Sequence, residues 1–338
     1  MKSARSLLIC GVPGLLGGAA TKIRHAALLL KDVAEILFVF TEREQIRIPH
    51  VAEFLKKHGL TWRFIKDLPE KCEGTVLVIC ELNFFSGGHA EALKRRGLKI
   101  VFSNEMMWEF KGEAEAVRKG LVDKVLFVSD FQAAKFADLY RGVPAAIPGN
   151  YVAPEDFEFV ERKSPEFTIG RLSRPDPDKY PEDFPVFYEE LGLPEVKYRV
   201  MAWDDALRKK YRWHRFGPEW ELLKPMQEPT DKFLQGLDLF VYPLGHLFKE
   251  SWGRSTVEAM LTGAIPLVPA GHQFHNLIVH GESGFICGSF GEYRDVAREL
   301  QRDHGLRRRL SRQCAKHART TICNPEEHRR IWMDALAV

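Results

Sequence analysis

Short apolar runs alternate with longer segments in which apolar residues recur every three or four positions. In the first half, residues 6–10, 36–40, 61–65, 75–80, 99–103 and 124–128 read as strands. Helices are expected over 19–31, 48–58 and 89–96, and from Ser129 or Asp130 onward. Gly59 and Gly97 close two of these helices. Apolar runs bounded by turns and separated by helices predict a doubly wound parallel sheet, in which ligands gather at the carboxyl ends of the strands.

The alternation breaks between 142 and 165, where Pro144, Pro148, Gly149, Asn150, Pro154 and Pro165 exclude a long helix and mark a domain boundary. A second α/β series follows. Strands are expected at 167–169, 196–202, 237–242 and 265–268, and helices over 204–210, 230–235 and 291–304. A basic helical patch covers 307–312, and a closing helix over 325–336 starts at Pro325 behind Asn324.

Within the second series, residues 249–265 (KESWGRSTVEAMLTGAI) hold two glutamates, Glu250 and Glu258, with seven residues between them. Glu250 lies in a polar loop with Ser251, Trp252 and Gly253; Glu258 lies inside the helix that follows, beside Ala259, Met260 and Leu261, and Gly263 stops that helix. The free N–H groups at the helix start are a place for phosphate oxygens. Glu258 is too far into the helix to cap it, and ribose or hexose hydroxyls would suit its carboxylate. The competing reading is two solvated acids around a helix start.

Composition changes this picture little. At 338 residues, with 45% hydrophobic and 28% charged positions, the chain has room for two soluble domains, and a net charge of +3 implies no polyanionic partner. Cys10, Cys72, Cys80, Cys287, Cys314 and Cys323 form no CxxC pair, so reduced thiols in a cytoplasmic protein are expected. Lys2 and Arg5 before an apolar run outline a secretory signal, but Pro13, Gly14 and Gly17-Gly18 favour a strand, a glycine turn and a helix. No run of 18 apolar residues predicts a membrane span.

These segments resemble the GT-B glycosyltransferases, most closely the retaining family 4 type with its Glu-x7-Glu motif. E-S-W-G, E-A-M and T-G-A-I-P are similar to that motif and the strand after it. Gly17-Gly18 is similar to the family's N-terminal glycine loop, and 127–131 (FVSDF) to its interdomain strand and helix. Residues 147–157 are similar to its pre-linker segment, and 169–172 (IGRL) to the opening of its second domain. The resemblance implies two Rossmann-like domains facing a central cleft: an acceptor domain over 1–150, a nucleotide-sugar domain over 151–320, and a helix over 321–338 packing back toward the first.

It also implies roles. Glu258 would hold the nucleotide ribose and Glu250 the transferred sugar, with Ser251, Trp252, Gly253 and Arg254 near sugar and diphosphate and Gly17-Gly18 on the donor side. Arg171 would pair with the diphosphate, a task suited to a guanidinium, although a surface arginine at a boundary competes. The family's catalytic lysine corresponds to Lys179, with Arg174 as the alternative. Residues 273–276 (QFHN) depart from the family's G-G-x-P-E loop, and 104–108 (NEMMW) hold no acceptor-side histidine. Asn104, Glu105 and Trp108 are the acceptor-side candidates.

Asp176-Pro177-Asp178 is a D-x-D, read as a proline-stiffened turn rather than a cation site. His272, His275 and His280 lack a zinc pattern, and His275 is expected to be buried or to face phosphate. The basic and aromatic run 208–215 (RKKYRWHR) keeps a nucleic-acid acceptor as a minority reading against a solvated helix end. The expectation is a metal-independent, retaining hexosyltransferase, with a UDP- or GDP-linked sugar as co-substrate, no other cofactor, and a small-molecule or glycan hydroxyl as acceptor. A GT-B epimerase or hydrolase, and an inactive sugar- or nucleic-acid-binding module, are the rivals.

Overall fold

The computed structural model describes residues 5–15 and 17–337; Lys2 lies outside them. The chain forms two compact units, one of residues up to Tyr151 together with those from Pro325 on, the other Val152–Asn324. The first contains β1 (Arg5–Cys10), α1 (Gly18–Leu30), β2 (Ala34–Phe40), α2 (Arg43–Arg47), α3 (Pro49–Lys57), β3 (Thr61–Phe64), β4 (Thr75–Ile79), α4 (His89–Arg95), β5 (Lys99–Ser103), α5 (Glu113–Arg118), β6 (Lys124–Leu126), α6 (Asp130–Phe136) and β7 (Ala145–Ala146). All pairings are parallel, in the order β3-β2-β1-β4-β5-β6-β7. Helices can cover both faces only if the central strands are apolar throughout, and Val76–Ile79 of β4 are fully buried.

The second unit contains β8 (Phe167–Leu172), α7 (Phe184–Glu189), β9 (Val196–Met201), α8 (Asp205–Lys210), β10 (Trp220–Leu223), α9 (Thr230–Gln235), β11 (Leu239–Val241), α10 (Arg254–Thr262), β12 (Ile265–Pro269), β13 (Phe285–Cys287), α11 (Phe290–Arg302) and α12 (His304–His317). Its parallel sheet runs β10-β9-β8-β11-β12-β13. The strand order reverses between β8 and β11, which opens a crevice at their carboxyl ends. The loops leaving those two strands, 173–180 and 242–253, carry Lys179 and Glu250.

The closing helix α13 (Pro325–Ala335) returns to the first unit. Its Trp332 is fully buried, with the Lys22 ammonium 5.1 Å from the ring centre, and Arg329 donates to the Leu29 carbonyl of α1 at 3.1 Å. All six cysteines are free thiols. Among the described residues no helix is long and apolar enough to cross a membrane.

Candidate functional site

The Lys179 ammonium donates to Glu250 Oε2 at 3.2 Å and lies 4.7 Å from the Phe248 ring centre. The same oxygen accepts the Tyr242 hydroxyl at 3.0 Å. Lys179 and Glu250 are largely enclosed, with 14% and 11% of their side chains exposed, so their attraction is only weakly screened. Burial works against the Lys179 charge, yet Glu250 and Tyr242 hold its pKa above the ordinary lysine value. Burial, reinforced by Glu250, likewise pushes the Tyr242 hydroxyl up against the opposing pull of Lys179.

Gly253 precedes α10 in the left-handed region, at φ +96°, and a Cβ there would stand 2.6 Å from the Phe274 ring. Only glycine brings the loop so close to Phe274 and turns it into the helix. Glu258, one turn into α10, accepts from Arg254 Nε at 2.9 Å. Burial raises the Glu258 carboxyl above its usual range, against the pull of Arg254. Trp252 is buried and Ser251 half-buried on the approach to this helix.

Arg171, expected to meet a diphosphate, has a fully buried side chain. The guanidinium lies 3.8 Å from the Tyr180 ring centre and 4.4 Å from that of Tyr242. It donates to the Pro243 carbonyl at 2.7 Å, and at 3.4 Å to the Lys179 carbonyl and the Ser173 hydroxyl. The physical reason is that β8 is central, and an arginine on it can keep its charge inside only by bonding carbonyls and lying on aromatic faces. Arg171 therefore ties the Lys179 loop to the end of β11. Sequence reasoning passed over Tyr180 and Tyr242; the one available signal was Tyr242 standing at the end of an apolar strand.

Arg174 is half exposed and pairs with Asp176 at 2.9 Å. Asp176 also accepts the Asp178 amide at 3.2 Å, so the D-x-D caps a short turn. Of the two places expected for His275, buried or facing phosphate, burial is excluded: it is exposed, because the short helix Gln273–Asn276 turns Gln273 and Phe274 inward instead. Among the described residues, the amide of Gln273 is buried without a hydrogen-bond partner, as is the Thr256 hydroxyl on the first turn of α10.

In the first unit, Gly17 stands at φ +89° before α1, and its carbonyl accepts the Thr21 amide at 3.1 Å. Asn104 and Glu105, expected on the acceptor side, are buried. Glu105 is held by Lys22 at 2.6 Å and Ser103 at 2.7 Å, because a buried lysine needs a countercharge. Asn104 donates to the Trp108 carbonyl at 3.0 Å and accepts the Met106 amide at 2.8 Å. Trp108 is exposed.

Two parallel α/β sheets, with the strand order reversing beside these loops, make the fold that of the GT-B glycosyltransferases. In particular the chain is similar to HepE of Anabaena, in a structure with UDP and glucose, at a TM-score of 0.76 and 14% identity over 99% of this chain and 100% of that one. It is similar to TarM at a TM-score of 0.77 and 10% identity over 100% and 99%. The glycosyltransferase of Rickettsia africae matches at 0.73 and 10% identity over 98% and 97%. No family model matches the chain, and no curated protein matches it by sequence.

Proposed function

We propose that this chain transfers a sugar from a UDP- or GDP-linked donor to a hydroxyl acceptor, with retention and without a metal. The observation that carries the proposal is the convergence of Lys179, Glu250 and Tyr242 at the crevice between β8 and β11. A departing diphosphate needs positive charge and N–H donors fixed in advance. Lys179 supplies the first and the start of α10 the second. Glu250 then holds sugar hydroxyls, and Glu258 with Arg254 meets the ribose. Arg171 acts at one remove, as a positioning residue that holds the Lys179 loop. Attack is from the face of the leaving diphosphate, so no side chain is assigned as base. The UDP and glucose held by the HepE structure support a uridine donor. The free thiols fit a reducing, cytoplasmic setting. The acceptor is assigned to the first unit.

The test is thermal unfolding of the protein with UDP, GDP and a panel of their sugars, with and without EDTA. The account expects one nucleotide and its sugar to raise Tm, undiminished by EDTA. No shift with any of them would overturn it. A shift abolished by EDTA would overturn its metal-free chemistry. Rapid donor cleavage without acceptor would turn the reading to a hydrolase or epimerase.

A further inference from the structure

Residues 104–110 follow β5 and form neither helix nor strand, yet buried side chains hold most of their backbone. Gln132 on α6, fully enclosed, donates to the carbonyls of Asn104 and, at 2.8 Å, Met106. Glu113 opens α5, fully buried, and accepts the Phe110 amide at 2.6 Å, the Asn104 side-chain amide at 3.3 Å and the Tyr140 hydroxyl. Lys135 donates to the Met107 carbonyl, and Asn104 binds both the Met106 amide and the Trp108 carbonyl. Enclosing two amides and a carboxylate is costly even when they are bonded; burial raises the Glu113 carboxyl despite its three donors. What this frame leaves in solvent is the indole of Trp108, 48% exposed, with the half-buried Met107 before it and, beside it, exposed Glu109, whose Oε1 accepts the Ala114 amide at 3.2 Å.

We propose that Trp108 is a stacking platform for a pyranose ring of the acceptor, which makes the acceptor a carbohydrate rather than a linear polyol or a lipid headgroup. The word acceptor rests on the transferase reading; the ligand chemistry is argued from the first unit alone. One face of a pyranose ring is lined by C–H groups and its rim by hydroxyls. An indole covers that face, and a neighbouring carboxylate such as Glu109 accepts from the rim. A loop fixed beforehand has little freedom left to lose when the sugar binds. The other exposed tryptophans are placed differently. Trp62 lies on the edge strand β3 against Phe40 and Phe64, and Trp213 follows α8 within the basic run.

The test uses protein labelled with 5-fluorotryptophan, with the Trp108 fluorine resonance assigned by its loss in Trp108→Phe. It is titrated with disaccharides of glucose, galactose, mannose and N-acetylglucosamine, and separately with sorbitol and glycerol 1-phosphate. At least one disaccharide is expected to shift the resonance saturably, the linear compounds not at all, and Trp108→Ala to weaken that binding about tenfold as read by calorimetric titration of wild type and variant. Silence with every disaccharide, an equal response to sorbitol, or unchanged affinity in Trp108→Ala would overturn the proposal. A parallel UDP titration separates the two readings. If UDP or, titrated alongside it, GDP binds and Trp108 stays silent, the platform alone falls; if neither nucleotide binds, the donor reading falls whatever Trp108 does.

Discussion

Lys179 and Glu250 meet at 3.2 Å across the crevice between β8 and β11, with the Tyr242 hydroxyl on the same carboxylate oxygen. This fixes how stability should vary with pH. Lys179 has its pKa raised from 10.5 and Tyr242 from 10.0. A raised pKa means that the folded chain holds the proton more tightly than the unfolded one. The stabilisation is therefore complete below the unfolded values and is lost as pH rises through the folded ones. Urea unfolding should show no contribution from this pair to pH dependence between about pH 7 and 9 and a loss setting in above about pH 10. Lys179→Met/Tyr242→Phe should flatten that alkaline loss, whereas Lys179→Met alone leaves the share carried by Tyr242, whose hydroxyl Lys179 holds down. Parallel curves for wild type and double variant would remove the pair from the account.

Arg171 is assigned to positioning, and its substitution separates that role from direct contact with a donor. Arg171→Lys keeps the charge but loses the planar group between Tyr180 and Tyr242 and one of its carbonyl bonds. It should destabilise the fold by about 2–4 kcal/mol, with or without nucleotide, as read by urea unfolding. Full stability with a loss confined to UDP affinity would return Arg171 to the diphosphate.

The fold was legible where physical constraints are local. Strands such as β1, β4 and β5 are continuous apolar runs between turns, and parallel strands buried on both faces have to be so. The short α7 was not legible, since Pro185 interrupts a stretch rich in aspartate and proline, nor was β7, two residues long between prolines. In the site, the spacing of Glu250 and Glu258 pointed at the start of α10. Nearby Tyr180 could not by itself indicate that Arg171 is enclosed, because the other side of its shelter comes from Tyr242, seventy-one positions away, and from the Pro243 carbonyl. The inward turn of Glu105 escaped for the same reason, since its partner Lys22 lies on α1.

That Lys22–Glu105 pair is almost wholly buried at 2.6 Å. Removing one partner leaves a charge in the interior, so Lys22→Met should cost about 3–5 kcal/mol. Lys22→Met/Glu105→Leu should recover most of it. A denaturation double-mutant cycle checks this, and a double variant no more stable than the single one would show that the pair does more than neutralise itself.

Gly253→Ala places a Cβ against the buried Phe274 ring and asks alanine to adopt φ +96°. The expected cost is about 1–3 kcal/mol, seen as a lower Tm, with a weakened nucleotide site because the loop turns into α10 there. A variant as stable as wild type would show that the turn has room to relax.

The central claim is that a nucleotide lies at the start of α10 with its ribose on Glu258. Calorimetric titration with UDP and 2′-deoxy-UDP, or with the guanosine pair if thermal unfolding selects it, tests this most directly. The wild type should bind the ribonucleotide about tenfold more tightly than its 2′-deoxy form, near 1.4 kcal/mol, and Glu258→Ala should bind the two alike. A wild type that does not distinguish them, or a Glu258→Ala variant that still does, would contradict the account.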